Sequence, residues 1–98
     1  MDFSNFLADS LINATTRAID YSTPAKVWVA LYTTDPTKVD AGTEVDQASY
    51  NRLELTTTEP VDGVSTNANE IKWSTATTDW GVISHVGIRD AETDGNLL

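Results

Sequence analysis

The chain of 98 residues contains no cysteine. That excludes disulfide staples, a thiol nucleophile and a cysteine-ligated zinc site. It leaves the compartment unread, because a secreted protein need not carry cysteine. Positive charge is scarce: six Lys and Arg stand against 15 Asp and Glu, a net charge of −9. So few cations cannot line a phosphate backbone, which excludes nucleic acid as a partner. Long apolar runs are missing too. The longest, Val27 to Tyr32, is far short of the roughly 20 residues that cross a bilayer, which excludes membrane insertion. Asp2, Asn5 and Asp9 interrupt the N-terminal apolar residues, so the basic start and unbroken middle of a secretory signal are absent.

Histidine is reduced to His85 alone. A catalytic histidine needs an orienting partner and usually a nucleophile. Ser84 is adjacent in an expected strand, so its side chain is expected on the opposite face, and His85 reads as structural. One histidine without cysteine also falls short of the usual zinc ligand sets.

What is present describes one small domain, residues 1–98, since single domains usually run to about 100–150 residues. Hydrophobic residues make up 40% of the chain, too many for a disordered tail. Phe3, Phe6, Leu7, Leu11, Ala14 and Ala18 recur at spacings of three and four, the mark of an amphipathic helix over about residues 2–19. Asp2 stands where it would cap that helix, and Ser22-Thr23-Pro24 ends it.

After Pro24 the period becomes two. Lys26 to Thr33 is apolar on both faces and predicts a strand covered on both sides, by the helix and by a second sheet. Tyr50 to Thr57 predicts a half-exposed strand with Tyr50, Arg52 and Glu54 on one face. Glu70 to Ser74 predicts a short strand, and Trp80 to Arg89 the longest. The polar stretches 34–48 and 58–69 are long for plain hairpins and read as Greek-key crossings or functional loops. The fold class expected is therefore mainly β: an antiparallel sandwich, Greek-key or jelly-roll-like, over about residues 26–98 with one N-terminal amphipathic helix. After the Asp94-Gly95 turn, Asn96-Leu97-Leu98 begins another strand, and an unfinished strand leaves an open edge, so that either the chain is a fragment of a longer protein or a neighbouring subunit completes the sheet.

The helix opening Phe3-x-x-Phe6-Leu7-x-x-x-Leu11 and the run Val27-Trp-Val-Ala-Leu-Tyr-Thr-Thr-Asp-Pro36 resemble a group of small bacteriophage virion proteins loosely labelled tail-fibre proteins. So do Tyr50-x-Arg52, the block Thr75-Ala-Thr-Thr-Asp-Trp-Gly-Val-Ile-Ser-His-Val-Gly-Ile-Arg-Asp90 and the ending Gly95-Asn-Leu-Leu98. The likeness runs over nearly the whole chain and is most specific from Trp80-Gly81 to Gly87-Ile88. It implies a phage particle component made in the host bacterial cytoplasm, without catalytic residues or cofactors. It also implies β-rich sequence past the Asn-Leu-Leu step, so that the expected sandwich lacks its last strands.

Three clusters invite chemistry. Asp90-x-Glu92-x-Asp94-Gly95 matches the first half of a calcium loop, but an acidic hairpin turn explains it equally. Asp35, Asp40, Glu44 and Asp46 hold carboxylates of the kind that glycosidases pair, yet hydrophilic loops carry such acids for solubility. Trp28 and Trp73 fall at inward positions and read as core, whereas Trp80, at a strand start, suits an interface or a sugar-stacking surface. Phe3, Phe6, Leu7 and Leu11 are the other candidate contact residues. The expectation is a non-enzymatic homo-oligomeric part of the phage tail, in contact with copies of itself and with other phage structural proteins. Capsid decoration and a host-glycan adhesin are the alternatives.

Overall fold

The structure is a computed structural model that describes residues 3–98. It contains helix α1 (Asn5–Thr16) and strands β1 (Val27–Tyr32), β2 (Leu53–Leu55) and β3 (His85–Arg89). The strands form one antiparallel sheet in the order β2-β1-β3.

α1 is shorter than its apolar pattern. Ser4 caps it, accepting a hydrogen bond at Oγ from the Leu7 N–H at 3.1 Å, which satisfies one of the orphan donors of the first turn. The expected cap Asp2 lies outside the described residues. At the other end Thr15 and Thr16 turn their hydroxyls back onto the Leu11 and Ile12 carbonyls. Ala18 then takes φ 54°, and the N–H groups of Arg17 and Ile19 both return to the Asn13 carbonyl. The helix therefore closes well before Pro24.

The helix does not cover the sheet as expected. None of its residues is buried; Phe6 is exposed, as is Phe3 just before it, while Leu7 and Leu11 are half-buried. Its N-terminal end is tied down by the Asn5 N–H on the Lys38 carbonyl and the Ser4 hydroxyl on the Leu97 carbonyl. The molecule is elongated, 47 × 28 × 21 Å, with a radius of gyration of 14.7 Å, against about 13 Å for a compact chain of this length.

Among the described residues there is one sheet, so the expected sandwich is not formed within the chain. The Glu70–Ser74 segment joins no ladder. Residues 73–80 are held by side chains instead: the Trp73 indole donates to the Asn51 carbonyl at 2.6 Å, and the Trp80 indole to Ser49 Oγ at 3.0 Å. The Trp80–Arg89 strand is halved, because Gly81 takes φ +80° and its N–H turns to Asp79 Oδ1.

The two long connections fold back on themselves rather than cross over. In 34–48, Tyr32 bridges Glu44 and the Val45 N–H returns to the Leu31 carbonyl. Gly42 is required there, since a Cβ would come within 2.6 Å of Pro36 Cα. In 56–68, Thr57 pairs with Asn67 and Val61 with Val64 around Asp62-Gly63, both at positive φ, the geometry of a type I′ hairpin turn. The last residues are likewise partnered. Leu97 bridges Arg89, and the Leu98 N–H reaches the Ile88 carbonyl at 2.8 Å. The edge expected to stand open at 96–98 thus pairs with β3.

Register sorts the two sides of the sheet. Val27 opposes Leu55, Val29 opposes Leu53 and Ile88, and Leu31 opposes Val86, so one face is wholly aliphatic. Only Val29 on it is buried, and Val86 is 50% exposed. The opposite face carries Ala30 and Tyr32, which with Leu97 form the buried core. Trp28 and Trp73 were expected there and are only half-buried. Trp28 sits opposite Glu54 and Arg89 at the margin of the sheet, and Trp73 lies outside any strand.

Candidate functional site

The most organised cluster gathers two arginines from strands or their approaches with two acids from the 34–48 loop. Arg52 precedes β2 and is buried, against the expectation of a half-exposed face. Its Nε and Nη2 grip Glu44 Oε2 and Oε1 at 2.8 and 2.7 Å, the two-pronged geometry that guanidinium offers a carboxylate. Its Nη1 donates to the Ala91 and Asp94 carbonyls, each at 2.8 Å. Arg89, at the end of β3 and also buried, grips both Asp40 oxygens at 2.8 and 2.9 Å. It donates further to Tyr32 Oη at 2.9 Å and to the Gly95 carbonyl at 2.8 Å. The two guanidiniums meet on the Asp94 carbonyl and hold the 90–96 turn against the 34–48 loop. No buried side-chain nitrogen or oxygen among the described residues lacks a partner.

Tyr50 completes the cluster. Its hydroxyl donates to Glu44 Oε2 at 2.6 Å and accepts from the Leu31 N–H at 3.1 Å, and its ring meets Trp80 edge-on at 5.5 Å between centroids. Burial, reinforced by the Glu44 carboxylate, pushes the Tyr50 hydroxyl up. For Glu44, burial works against the charge, but hydrogen bonds from Arg52 and Tyr50 outweigh it and hold the carboxyl below its ordinary value. The Glu44 hydrogen bond raises Arg52. Burial also opposes the Arg89 charge, and Asp40 and Tyr32 overcome it to raise that guanidinium.

Glu44 therefore titrates lower folded than unfolded, where glutamate ionises near about pH 4.3. Its stabilisation is complete above that value and disappears as pH falls through the folded-state value. Urea midpoints are expected to stay level on this account down to about pH 5 and to fall below about pH 4, with a shallower acid limb in Glu44→Gln. An equally steep limb in the variant would assign the acid response to other carboxylates.

This arrangement suits holding more than reacting. Every arginine nitrogen is engaged, so neither guanidinium is free to take a phosphate. A glycosidase acid needs a raised pKa, whereas Glu44 is lowered and Asp40 is paired. Asp35 and Asp46 are exposed, and Asp35 lines a different cleft from Glu44.

His85 lies elsewhere, in a cleft of about 300 Å³ whose lining includes Asp35, Lys38 and Leu97. Ser84 Oγ reaches His85 Nδ1 at 2.8 Å, so the expectation that Ser84 would point away is corrected. Ser84 stands just before β3, where strand alternation does not yet apply. His85 Nε2 is 3.9 Å from Asp35 Oδ2, beyond a hydrogen bond. All three side chains are exposed. Asp35 does not orient the ring.

The remaining candidates separate. Asp90 spends its carboxylate on the backbone and side-chain nitrogens of Asn96, while Glu92 and Asp94 are exposed and Asp94 contributes its carbonyl to both arginines. No group of three or more possible metal ligands occurs among the described residues. Trp80 is half-buried against Tyr50. Phe3, Phe6, Leu7 and Leu11 lie on the helix side of the molecule, apart from the arginine cluster. The sequence signal for that cluster was faint: four of the six cations, Lys26, Arg52, Lys72 and Arg89, fall within expected strands, and nothing in the pattern separates the two arginines from the two lysines.

A family model described as podophage GP4 fiber I protein gp80 (Gp80) matches residues 2–98. No curated protein and no solved structure matches the chain.

Proposed function

The chain belongs to the Gp80 family of phage fibre proteins, and from that premise we propose that it is a non-enzymatic structural subunit of the phage tail fibre, acting by assembly of several copies. The observation that carries this reading is the match over residues 2–98. The most ordered side-chain cluster supports it, because its charges neutralise one another and brace loops instead of facing a substrate. The small core supports it further: among the described residues Val29, Ala30, Tyr32, Val45 and Leu97 are the buried hydrophobic side chains, with Pro36 and Gly87 beside them, little for a chain of this size to stand on alone. A second layer over the sheet, the missing half of a sandwich, would then be supplied by neighbours in the particle.

No helix among the described residues is long and apolar enough to cross a membrane. On the strength of the family match, its partners are copies of this chain and other phage structural proteins in the virion.

A reconstruction of the phage particle tests the proposal. The expected result is density for this chain, in several copies, in a fibre on the tail. Density on the head shell would replace the reading with capsid decoration, and a single copy bound to host-surface sugar would replace it with an adhesin.

A further inference from the structure

We propose that the uncovered flank of the helical segment in one copy docks on the aliphatic sheet face of a second copy, in a head-to-tail contact between successive subunits. The inference rests on the fibre reading above and adds the surface and its occupant.

The first argument is area. A folded monomer of 10.7 kDa has an accessible surface of about 5,500 Å². This chain exposes 6824 Å², about 1,300 Å² more. A standard interface takes about 800 Å² from each partner, and permanent homo-oligomers take more. An excess of that size, summed over the whole elongated chain, is enough to supply one subunit's share of a lasting assembly of like chains.

The second argument is complementarity. Helix on sheet is one of the few stable layer pairings, and in this chain each half lacks the other. The flank holding Phe3 (58% exposed) and Phe6 (41% exposed) has no sheet beneath it. The face holding Leu31, Leu55, Val86 and Ile88 has no helix over it and keeps all four at least partly exposed. A single copy cannot close this gap, because its helical segment is pinned by Ser4 and Asn5 to Leu97 and Lys38. A second copy can. The two surfaces differ, so the contact is heterologous and propagates from copy to copy.

The third argument is charge. Each copy carries −9, so copies repel except where charge is absent. The sheet face bears no ionisable side chain, and the helix flank around Phe3, Phe6 and Ala14 carries charge only at its C-terminal end, at Arg17 and Asp20. A cationic partner would call for acids at the contact.

The test is sedimentation of the full chain. Wild-type protein is expected to self-associate at micromolar concentration, and more tightly as salt rises from about 0.05 M to about 0.5 M, because like charges are screened. Phe3→Gln/Phe6→Gln and Val86→Gln alter exposed positions, so circular dichroism should remain that of wild type. Each is expected to weaken association about tenfold or more. Mixed in equal amounts, the two variants should pair through the one intact contact and stop at two copies. A wild-type chain that stays monomeric at every salt concentration overturns the proposal, as do variants that associate like wild type. In that second case a fibre location in the particle would still stand, with another surface making the contacts. A shell location would overturn the fibre reading whatever the variants do.

Discussion

Arg52→Ala is expected to destabilise the protein by about 3–5 kcal/mol, the usual consequence of removing one partner from a buried ion pair. The loss is large because three things go together. Glu44 keeps a carboxylate that is only 22% exposed at its side chain and loses both guanidinium hydrogen bonds. The Ala91 and Asp94 carbonyls lose their shared donor. The 90–96 turn then keeps its own Asp90–Asn96 bonds but only Arg89 as a tie to the 34–48 loop. In a chain of this length each kcal/mol moves Tm by about 4–8 °C, so the melt should fall by at least about 12 °C. Arg52→Lys should recover only part of this, since an ammonium cannot fork across both oxygens of Glu44. A thermal melt of Arg52→Ala within about 2 °C of wild type would show that the pair contributes nothing net.

Tyr32 gives the second large effect. It is 1% exposed, and its ring lies so close over β3 that a Cβ at Gly87 would sit 2.8 Å from Cε2. Tyr32→Ala should cost about 3–5 kcal/mol through the cavity left between Ala30 and Leu97. Tyr32→Phe keeps the ring and removes only the acceptor for Arg89 Nη1, which still holds Asp40. Its cost should be about 1–2 kcal/mol. Denaturant unfolding of the pair separates packing from hydrogen bonding. If the two variants lose equal stability, the hydroxyl rather than the ring is what the core depends on.

These residues show how far the sequence could be read. β1 was legible because Val27 to Tyr32 is apolar at every position, a pattern that survives any neighbour. The helix was legible as a helix but not in its extent, since apolar spacing continues to Ala18 while the Thr15 and Thr16 hydroxyls and the turn at Ala18 end it sooner. Glu70–Ser74 failed as a strand because alternation of Ile71 and Trp73 describes a half-buried segment of any backbone shape. There the Trp73 indole bonds to the Asn51 carbonyl, and no ladder forms. The arginine cluster was hidden for a different reason. Arg52 and Glu44 come together only once the 34–48 loop folds back on β1, and periodicity carries no information about such a return. Read on alternation alone, Arg52 belonged to a solvated face. The family was legible in the Trp80-to-Ile88 block even though half of that block is not a strand, because resemblance follows residue identity and not conformation.

The register of the sheet has a consequence for how the molecule meets acid. Glu44, the carboxylate on which the bracing depends, lies on the Tyr32 side of the sheet. The reverse of the same three strands, from Val27 across to Val86, offers no group to titrate. Acidification therefore slackens the molecule from one side only and leaves the chemistry of the other as it was. A three-stranded sheet thereby keeps its bracing sensitive to the medium and its greasy side indifferent to it.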